Sequence, residues 1–428
     1  MKICVIGLGH IGLPTSAMFA KHGAEVVGID INPDVVEMLN QGKIYIEEPG
    51  LEEVVKKVVE EGRFRASLEP EEADAFIISV PTPNNEDEYK SCDLTYVLNA
   101  TKRVLSYTKP GNVIIIESTI APRSIDDYVR PLVEKAGFKV GEDVYLAHCP
   151  ERVLPGSILK ELVYNNRIIG GATPTCALKG AKVYKTFVQG EIILTDAKTA
   201  EMSKLMENTF RDVNIALSNE LTKICNSLGI NVLDVIKMAN KHPRVNLHQP
   251  GPGVGGHCLA VDPYFIVAKT PELAGIINLS RKTNSSMPHY VVQCIRELLH
   301  DIEKPKVAVF GAAYKADVDD MRESPAMEVI SILTQEGFEI SIHDPHIKSG
   351  GYHFVSAEEA AAEAHLLLVL TDHSEFKKIN YNSIASKMAN PLLFDTRNCL
   401  SPEMICSMQI VNFGNLHKRI EAKKAVLV

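Results

Sequence analysis

The sequence has no uninterrupted apolar run that approaches the length of a membrane span, although 45% of its 428 residues are hydrophobic. A membrane-spanning helix needs about 20 consecutive apolar residues, so we predict no membrane partner. The opening residues, MKICVIGLG, also lack the long apolar segment of a secretory signal peptide. The expected location of the protein is therefore the cytoplasm.

Paired cysteine spacings and an excess of positive charge are also absent. The nine cysteines are an odd number without short paired spacings, which favours free thiols in a reducing compartment over a disulfide framework. Lys and Arg number 45 against 54 Asp and Glu, which gives a net charge of −9. This balance predicts no nucleic-acid partner, and an anionic substrate would need a local basic pocket.

Short apolar runs alternate with amphipathic stretches in the N-terminal third of the chain. The runs that predict buried parallel strands are KICVIG, AEVVGID, ADAFIISV, NVIIIEST and DVYLAH, whereas PTSAMFAKHG and LEEVVKKVVEEG predict helices. This alternation is typical of βα units around a parallel sheet. The C-terminal third repeats the plan more weakly, through KVAVFGAAYK, SPAMEVISILTQEG, EISIHDP, SAEEAAAEAHLLLVLTDH and NPLLFDTRN.

Between these thirds, helical periodicity replaces the strand-like runs. One long helix is predicted to end at Gly229, and a second helical stretch from Asp262 to Leu299 is interrupted by Pro271 and Pro288. We therefore expect an α/β chain with two Rossmann-like, doubly wound parallel-sheet domains joined by a central helical domain. The expected bounds of these three parts are 1–195, 196–300 and 301–428.

The first predicted strand leads into a glycine-rich turn, Gly7-Leu8-Gly9-His10-Ile11-Gly12. Gly7 permits the tight turn, Gly9 lets the backbone approach a pyrophosphate, and Gly12 lets helix and strand pack closely. The N-terminus of the following helix offers N–H groups to phosphates. Glycines also serve ordinary turns, but here Asp30 ends the second strand, where it can accept hydrogen bonds from ribose hydroxyls. Because Asp30 would repel a 2′-phosphate, NAD is favoured over NADP.

Two hydroxyl residues follow later predicted strands, Thr82 in VPTP and Thr119 in EST. Ligands of open α/β sheets bind beyond the carboxyl ends of the strands. Either threonine can therefore contact the cofactor or a water molecule. Each can equally well cap the local backbone.

The stretch PGPGVGGHCLAVDPYF places His257 and Cys258 after a run of glycines and prolines, with a predicted helix behind them. A cysteine at such a turn, beside a helix N-terminus, can have its thiol pKa lowered from about 8.5. Asp262 lies four residues on, one turn later if the segment is helical. A buried structural thiol is the alternative. Half of a metal site is disfavoured because adjacent His257 and Cys258 have poor ligand geometry, so we predict no metal.

Lys204, Asn208 and Arg211 lie at positions i, i+4 and i+7 of the long predicted helix and so share one face. The apolar residues of that helix are expected in the core, among them Met202, Leu205 and Phe210. The alternative for the polar face is a solvated surface, on which neighbouring acidic residues such as Glu207 and Asp212 pair with these bases.

Taken together, these motifs resemble the UDP-glucose/GDP-mannose dehydrogenase family. The match runs over nearly the whole chain, through GLGHIGLP, VPTP, EST, CPERVLPG, ENTFRDVNIALSNEL, HPRVN, GGHC and YKADVDDMRESPA. The resemblance implies an NAD-dependent, four-electron oxidation of the C6 alcohol of a UDP-sugar through a cysteine thiohemiacetal and thioester. The CPERVLPG, NTFRDVNIALSNEL and GPGVGGHCLAVDP forms are most similar to members that oxidise UDP-N-acetyl-D-mannosamine. UDP-N-acetylglucosamine and UDP-glucose are the alternatives.

The resemblance also implies roles for single residues. Catalytic roles are implied for Cys258 as the nucleophile and for Lys204, Asn208, Asp262, Glu151 and Thr119. Cofactor contacts are implied for Gly7, Gly9, His10, Ile11, Gly12, Asp30, Thr82, Thr119 and Arg322. Substrate contacts are implied for Arg152, Val153, Lys204, Asn208, Arg211, His242, Arg244, Gly255, Tyr314, Lys315 and Arg397. His242 and Arg244 match residues that reach a neighbouring subunit's substrate, which implies a homodimer or a dimer of dimers.

Two other functions fit part of the pattern. A simple two-electron dehydrogenase would need the Rossmann domain but no essential cysteine and no second nucleotide-binding repeat. A non-catalytic nucleotide-binding protein would retain the fold but would not need Cys258 or Lys204.

Overall fold

The computed structural model describes residues 1–347, 351–401, 403 and 405–419. Its contacts divide the chain into two compact units. The first unit comprises Met1–Glu207 and Tyr264–Leu273, and the second comprises Asn208–Pro263 and the residues from Ala274 onward. The chain crosses between the units three times, twice inside helices and once in the turn between Leu273 and Ala274.

The first unit is built on an eight-stranded sheet. Its strands are β1 Lys2–Ile6, β2 Glu25–Ile29, β3 Phe64–Ser67, β4 Ala75–Ile78, β5 Val113–Ile116, β6 Tyr145–His148, β7 Arg167–Gly171 and β8 Ile192–Asp196. The order is β3-β2-β1-β4-β5-β6-β7-β8, and every neighbouring pair is parallel except β6 with β7. The first six strands have the Rossmann order, in which ligands bind beyond the strand ends between β1 and β4.

Helices cover both faces of this sheet. They are α1 Gly12–Lys21, α2 Pro33–Asn40, α3 Leu51–Glu60, α4 Thr95–Leu105, a π-helical segment Ile125–Val129, α5 Arg130–Lys135, α6 Ile158–Tyr164 and α7 Pro174–Tyr184. Along β1, Ile3 and Val5 belong to one buried cluster while Cys4 and Ile6 belong to another. Since alternate strand residues point to opposite faces, both faces of the sheet are packed. This explains why the strands are apolar runs without alternation.

Two helices cross between the units in the chain, α8 Ala197–Ser227 and α10 Asp262–Lys269. The second unit adds α9 Val232–Ala239, α11 Gly275–Ser285, α12 Met287–Leu298, α13 Pro325–Gln335, α14 Ala357–Ala361, a 3₁₀ turn Ser374–Lys378 and α15 Tyr381–Lys387. Its strands are β9 Lys306–Phe310, β10 Glu339–His343, β11 Leu366–Val369, β12 Leu392–Asp395 and β13 Gln409–Asn412. They form an all-parallel sheet in the order β10-β9-β11-β12-β13.

The predicted fold class is confirmed, with two parallel-sheet α/β units and helices between them in the chain. The order of the second sheet equals that of β2-β1-β4-β5-β6 in the first sheet, so the weak repeat in the sequence is a repeat of topology. The breaks around Pro271 and before α12 are also confirmed. No helix in the described part of the chain is both long and apolar enough to cross a membrane.

One prediction about the long helix is wrong. Leu205 is fully buried, but Met202 is 37% exposed and Phe210 is 66% exposed. The error arises because a helix as long as α8 presents more than one apolar stripe, and periodicity alone cannot tell which stripe faces the core.

Candidate active site

In the glycine-rich turn between β1 and α1, two glycines are required by the backbone geometry and the third faces open space. Gly7 has φ +93°, and a Cβ atom at Gly12 would lie 1.8 Å from the Gly7 carbonyl oxygen. A Cβ atom at Gly9 would meet no protein atom within 4 Å. The turn therefore leaves open space at Gly9, beside the first N–H groups of α1, which fits a pyrophosphate at a helix N-terminus. His10 is exposed and Ile11 is the N-cap of α1.

Asp30 lies at the end of β2 and faces the same turn. Its two oxygens accept the N–H groups of Leu8 at 3.2 Å and Asn32 at 3.0 Å. A carboxylate has further lone pairs, so the half-exposed Asp30 can still accept ribose hydroxyls. The Tyr45 hydroxyl, which the sequence did not single out, donates to the Leu8 carbonyl at 2.9 Å and braces this turn.

Thr82 and Thr119 lie in loops that contact each other. The Thr82 hydroxyl donates to the Thr119 carbonyl oxygen at 2.7 Å. Nearby, the Ser118 hydroxyl accepts the Val80 N–H at 2.9 Å and donates to the Val80 carbonyl at 2.7 Å. The Thr82 hydroxyl thus ties two loops that are 37 residues apart in the chain and does not cap its own loop. The cofactor contacts of both threonines stay predictions.

A buried ion cluster surrounds Glu151, one of the predicted catalytic residues. Glu151 accepts Arg167 Nη2 at 2.8 Å and the Arg152 N–H at 2.6 Å. Arg167 Nη1 also lies 3.5 Å from Glu117 Oε1, which accepts the Tyr184 hydroxyl at 2.8 Å. Burial, with the nearby Glu151 charge, raises the pKa of Glu117. Arg167 thus fixes the Glu151 carboxylate from inside the first unit.

The other predicted residues of the first unit are more exposed. Arg152 pairs with Glu207 at 2.6 Å and donates to the Asn166 carbonyl at 3.1 Å. Val153 is partly buried and packs against the core cluster that contains Ile3 and Val5. Lys204 lies on α8 one turn before Asn208, as the sequence predicted.

Cys258 occupies a helix-like turn in the second unit, immediately before α10. Its carbonyl accepts the Asp262 N–H at 2.8 Å and the Val261 N–H at 3.1 Å, and Cys258 itself is exposed. Asp262 is buried and accepts Asn208 Nδ2 at 2.6 Å. The predicted one-turn spacing of Cys258 and Asp262 is therefore present, and α8 contributes the amide that holds Asp262.

The glycines before Cys258 allow close approach of the β9 loop. A Cβ atom at Gly255 would lie 2.4 Å from the Glu323 carbonyl oxygen, and one at Gly256 would lie 2.6 Å from the Tyr314 ring. Burial, together with the nearby charges of Asp320 and Cys258, raises the pKa of Tyr314. Tyr314 and Cys258 are thus neighbours, and the substrate contact of Tyr314 stays a prediction.

Two arginines flank this loop and already have carboxylate partners. Arg322 makes a two-pronged pair with Asp320, at 2.9 Å and 2.6 Å. Arg397 pairs with Asp372 at 3.1 Å, and its guanidinium packs over Gly251, where a Cβ atom would lie 2.7 Å away. The remaining predicted contacts are exposed on the second unit, namely Arg211, His242, Arg244 and Lys315.

A buried polar network that the sequence did not reveal holds both ends of the cysteine loop. Asp212 pairs with Arg281 at 2.6 Å, and Arg281 Nη1 donates to the Leu259 carbonyl at 3.5 Å. Asn219 on α8 accepts the Gly251 N–H at 2.9 Å. The proposed solvated pairing of Asp212 is wrong, because its side chain is fully buried. The only sign of this network in the sequence was that Asp212, a charged residue, occupies a core position of α8.

None of the nine cysteines, all of which lie in the described part of the chain, forms a disulfide bond. The open turn at Gly9 and the anchored Asp30 suit the binding of a dinucleotide. The exposed Cys258 can serve as a nucleophile. Asp30, which faces the glycine turn, favours NAD over NADP because its carboxylate suits a ribose without a 2′-phosphate.

Comparison with known proteins places this chemistry in a family. Models of the UDP-glucose/GDP-mannose dehydrogenase family match the chain in three parts: the NAD binding domain at residues 1–188, the central domain at 198–286 and the UDP binding domain at 308–402. NAD is therefore the cofactor of this dehydrogenase.

Individual relatives cover almost the whole chain. A solved structure of the UDP-N-acetyl-mannosamine dehydrogenase from Staphylococcus aureus is 56% identical, with a TM-score of 0.92, and the match covers 98% of this chain and 100% of that one. The UDP-N-acetyl-D-mannosamine dehydrogenase of Methanococcus maripaludis is 49% identical over 406 residues, which is 93% of each chain.

A third relative carries a different name. The NDP-N-acetyl-D-galactosaminuronic acid dehydrogenase of Ralstonia solanacearum is 44% identical over 418 residues, 95% of this chain and 97% of that protein. The family models and these relatives together match nearly the whole chain. The chain therefore belongs to the UDP-glucose/GDP-mannose dehydrogenase family.

Proposed function

We propose that this enzyme oxidises the C6 alcohol of UDP-N-acetyl-D-mannosamine to the carboxylate of UDP-N-acetyl-D-mannosaminuronate, in two oxidations that pass through Cys258. The observation that carries the proposal is the exposed Cys258 before α10, one turn from the buried Asp262, which accepts a hydrogen bond from Asn208. The substrate is proposed from the names of the relatives that are 49% and 56% identical. Such precursors serve polysaccharide or glycan synthesis.

The chemistry explains why a dehydrogenase needs a cysteine. When bound, NAD would supply the hydride acceptor for each of the two oxidations. In the first, the C6 alcohol loses a hydride and a proton and becomes an aldehyde, which is itself a poor hydride donor. Addition of the Cys258 thiolate forms a C–S bond and a thiohemiacetal, which loses a second hydride to give a thioester. Water then breaks the C–S bond, releasing the acid and the free thiol.

We assign the remaining catalytic roles by family resemblance. Asn208 and Lys204 stabilise the oxyanions that form at C6. Asp262 serves as a proton acceptor, through water, when the alcohol is oxidised. Glu151 assists the water that hydrolyses the thioester, and Thr119 contacts the reacting group or water.

The domain roles follow the same family pattern. We propose that residues 1–195 bind NAD, that 196–300 carry the catalytic and dimer-forming helices, and that 301–428 bind the UDP-sugar. Cofactor contacts are assigned to the glycine turn, Asp30, Thr82 and Arg322, and substrate contacts to Arg152, Val153, Arg211, Gly255, Tyr314, Lys315 and Arg397. Nine cysteines without a disulfide bond favour the cytoplasm as the place of reaction.

We propose that the protein is a homodimer or a dimer of dimers. Supporting this, six apolar side chains are exposed on α8 and directly after it, hereafter the α8 stripe: Met202, Met206, Phe210, Leu217 and Ile224 on the helix, and Leu228 one residue beyond its end. Their spacing of four or seven residues gives one continuous apolar seam, which is the pattern of helices that pair. His242 and Arg244 are exposed, and by resemblance we assign them to the substrate of the neighbouring subunit.

A panel of UDP-sugars tests the proposal. With NAD in excess, UDP-N-acetylmannosamine should turn over fastest and yield two NADH per acid formed. UDP-N-acetylglucosamine, UDP-N-acetylgalactosamine and UDP-glucose complete the panel. A preference for one of these three would overturn the substrate and leave the mechanism standing. One NADH per turnover would instead indicate the two-electron dehydrogenase, and no turnover would indicate the non-catalytic protein.

A further inference from the structure

Three loops at the carboxyl edge of the second sheet bring two imidazoles and two carboxylates together. Asp317 follows β9, His346 follows β10, and His373 and Glu375 follow β11. One nitrogen or oxygen atom from each of these side chains lies within 4.8 Å of those of the other three. None of the four has a role in the proposed oxidation, and the sequence did not single them out.

His373 supports this cluster and is not a free ligand. It is fully buried, its Nδ1 accepts the Asp317 N–H at 3.0 Å, and its Nε2 is 3.1 Å from Asp344 Oδ2. These partners assign the proton to Nε2. Both ring nitrogens are therefore in use, and His373 fixes the backbone that carries Asp317 in the way that outer-shell residues orient metal ligands.

Asp344, at the end of β10, links the same loops. It accepts the Ala312 N–H at 2.7 Å after β9 and the His346 N–H at 2.9 Å. The loops are therefore held in register by protein contacts before any ion arrives.

The three remaining side chains have ligand spacing. His346 Nε2 lies 3.3 Å from Glu375 Oε2 and 3.9 Å from Asp317 Oδ1. Zinc bonds of about 2.0–2.2 Å to nitrogen and oxygen place tetrahedral ligands about 3.4 Å apart. The side chains of His346, Asp317 and Glu375 are 27%, 50% and 44% exposed. Solvent can therefore enter and supply the remaining ligands.

We propose that His346, Asp317 and Glu375 bind a divalent transition-metal ion, with Zn²⁺ preferred. One imidazole with two carboxylates suits Zn²⁺ better than Mg²⁺, which prefers oxygen ligands alone. The ion ties together the loops that follow β9, β10 and β11. Two of the proposed substrate contacts, Tyr314 and Lys315, lie on the first of these loops, so the ion stiffens the segment that carries them. Only this last consequence rests on the proposed function.

The first test measures Zn²⁺ binding to the tag-free, full-length protein after removal of metals with a chelator. Calorimetry should show one site per chain that is weakened at least about tenfold in His346→Gln and in Glu375→Gln. His353→Gln, which removes an exposed imidazole elsewhere in the second unit, should bind like the parent protein. Unchanged Zn²⁺ affinity in both ligand variants would overturn the site, and so would absence of binding to the parent.

The second test separates this site from the cysteine thiols. Co²⁺ bound to nitrogen and oxygen ligands has weak visible bands, whereas thiolate ligands add an intense near-ultraviolet band. The parent protein should show the weak bands without the thiolate band, and His346→Gln should lose them. A thiolate band that persists in His346→Gln would assign the ion to cysteine and contradict the proposal. Circular dichroism of each variant confirms that its fold is retained, and neither readout depends on enzymatic activity.

Discussion

Arg167 carries a buried positive charge between Glu117 and Glu151. Its side chain is 5% exposed, and its guanidinium stacks 4.5 Å from the centre of the Tyr184 ring. The side chains of its two partners, Glu117 and Glu151, are only 0% and 9% exposed. The position of Arg167 on β7 therefore links the stability of the first unit to the geometry of the proposed catalytic carboxylate.

Arg167→Met should destabilise the first unit by about 3–5 kcal/mol, because Glu117 and Glu151 would be left buried without a cation. Arg152→Met is the matched control, since Arg152 also pairs with a glutamate but is 31% exposed. That variant should lose no more than about 1 kcal/mol. Urea unfolding of both proteins measures the difference. Equal, small losses would show that the buried pairing contributes little to stability.

Single residues also show where prediction from sequence ends. The glycine turn, Asp30 and the spacing of Cys258 to Asp262 were predicted because their geometry is local. Arg167 and the Asp212–Arg281 pair were missed because their partners are 16 and 69 positions away in the chain. From sequence alone, a charged residue is expected to lie in solvent. Only the folded chain shows which charged residues are buried.

At the scale of elements, the turn between β1 and α1 separates two kinds of glycine. Gly12→Ala should disturb the turn, because its Cβ atom would lie 1.8 Å from the Gly7 carbonyl, and should lower both melting temperature and NAD affinity. Gly9→Ala meets no protein atom within 4 Å, so its stability should change by less than about 0.5 kcal/mol. Its methyl group would still face the pyrophosphate, so NAD binding should weaken at least about tenfold.

Thermal melts and NAD titration of these two variants distinguish the roles. If Gly9→Ala bound NAD as tightly as the parent protein, the open space at Gly9 would not be the pyrophosphate site. If Gly12→Ala melted like the parent protein, the close approach of the turn to itself would not constrain α1.

The start of the π-helical segment predicts a pH dependence. Glu201 on α8 is fully buried and accepts the N–H groups of Arg123 at 2.6 Å and Ile125 at 2.8 Å. Burial outweighs these bonds and raises the pKa of Glu201 from 4.5 to about 8. The folded chain therefore keeps a proton that the unfolded chain loses near pH 4.5, so this stabilisation is complete below pH 4.5 and is lost as pH rises to 8.

Glu201→Gln should remove this dependence. Between pH 5 and pH 9 the parent protein should lose stability relative to the variant, by at most about 5 kcal/mol. Urea unfolding across this range measures the change. Glu134→Gln, which alters an exposed glutamate, should keep the slope of the parent protein. Parallel stability curves for Glu201→Gln and the parent would contradict the shifted pKa.

Elements differ in how well the sequence predicts them. Apolar runs such as VIII of β5 identify the central strands because both faces of those strands are buried. β3, β7, β8 and β13 were not predicted, because each carries partly or fully exposed residues and the apolar run is broken. These segments form strands because they pair with a neighbouring strand, although their composition alone does not favour a strand.

For the whole molecule, the α8 stripe predicts self-association. Phe210→Asp places a charge in the stripe at a side chain that is 66% exposed in one chain, so the chain itself should still fold. The charge would have to be desolvated at a helix–helix contact, and the mass measured by light scattering should fall towards one chain. Tyr96→Asp changes another exposed aromatic side chain, 49% exposed and outside the stripe, and should leave the mass unchanged. An unaltered mass for Phe210→Asp would place the contact elsewhere.

The central claim is that four electrons leave the substrate because Cys258 holds the intermediate. The most direct measurement is the acid formed by Cys258→Ala with UDP-N-acetylmannosamine and NAD, beside Cys406→Ala as a second exposed thiol. We predict that acid formation falls at least about 1,000-fold in Cys258→Ala and is unchanged in Cys406→Ala. Acid formation by Cys258→Ala at the rate of the parent protein would contradict the covalent mechanism.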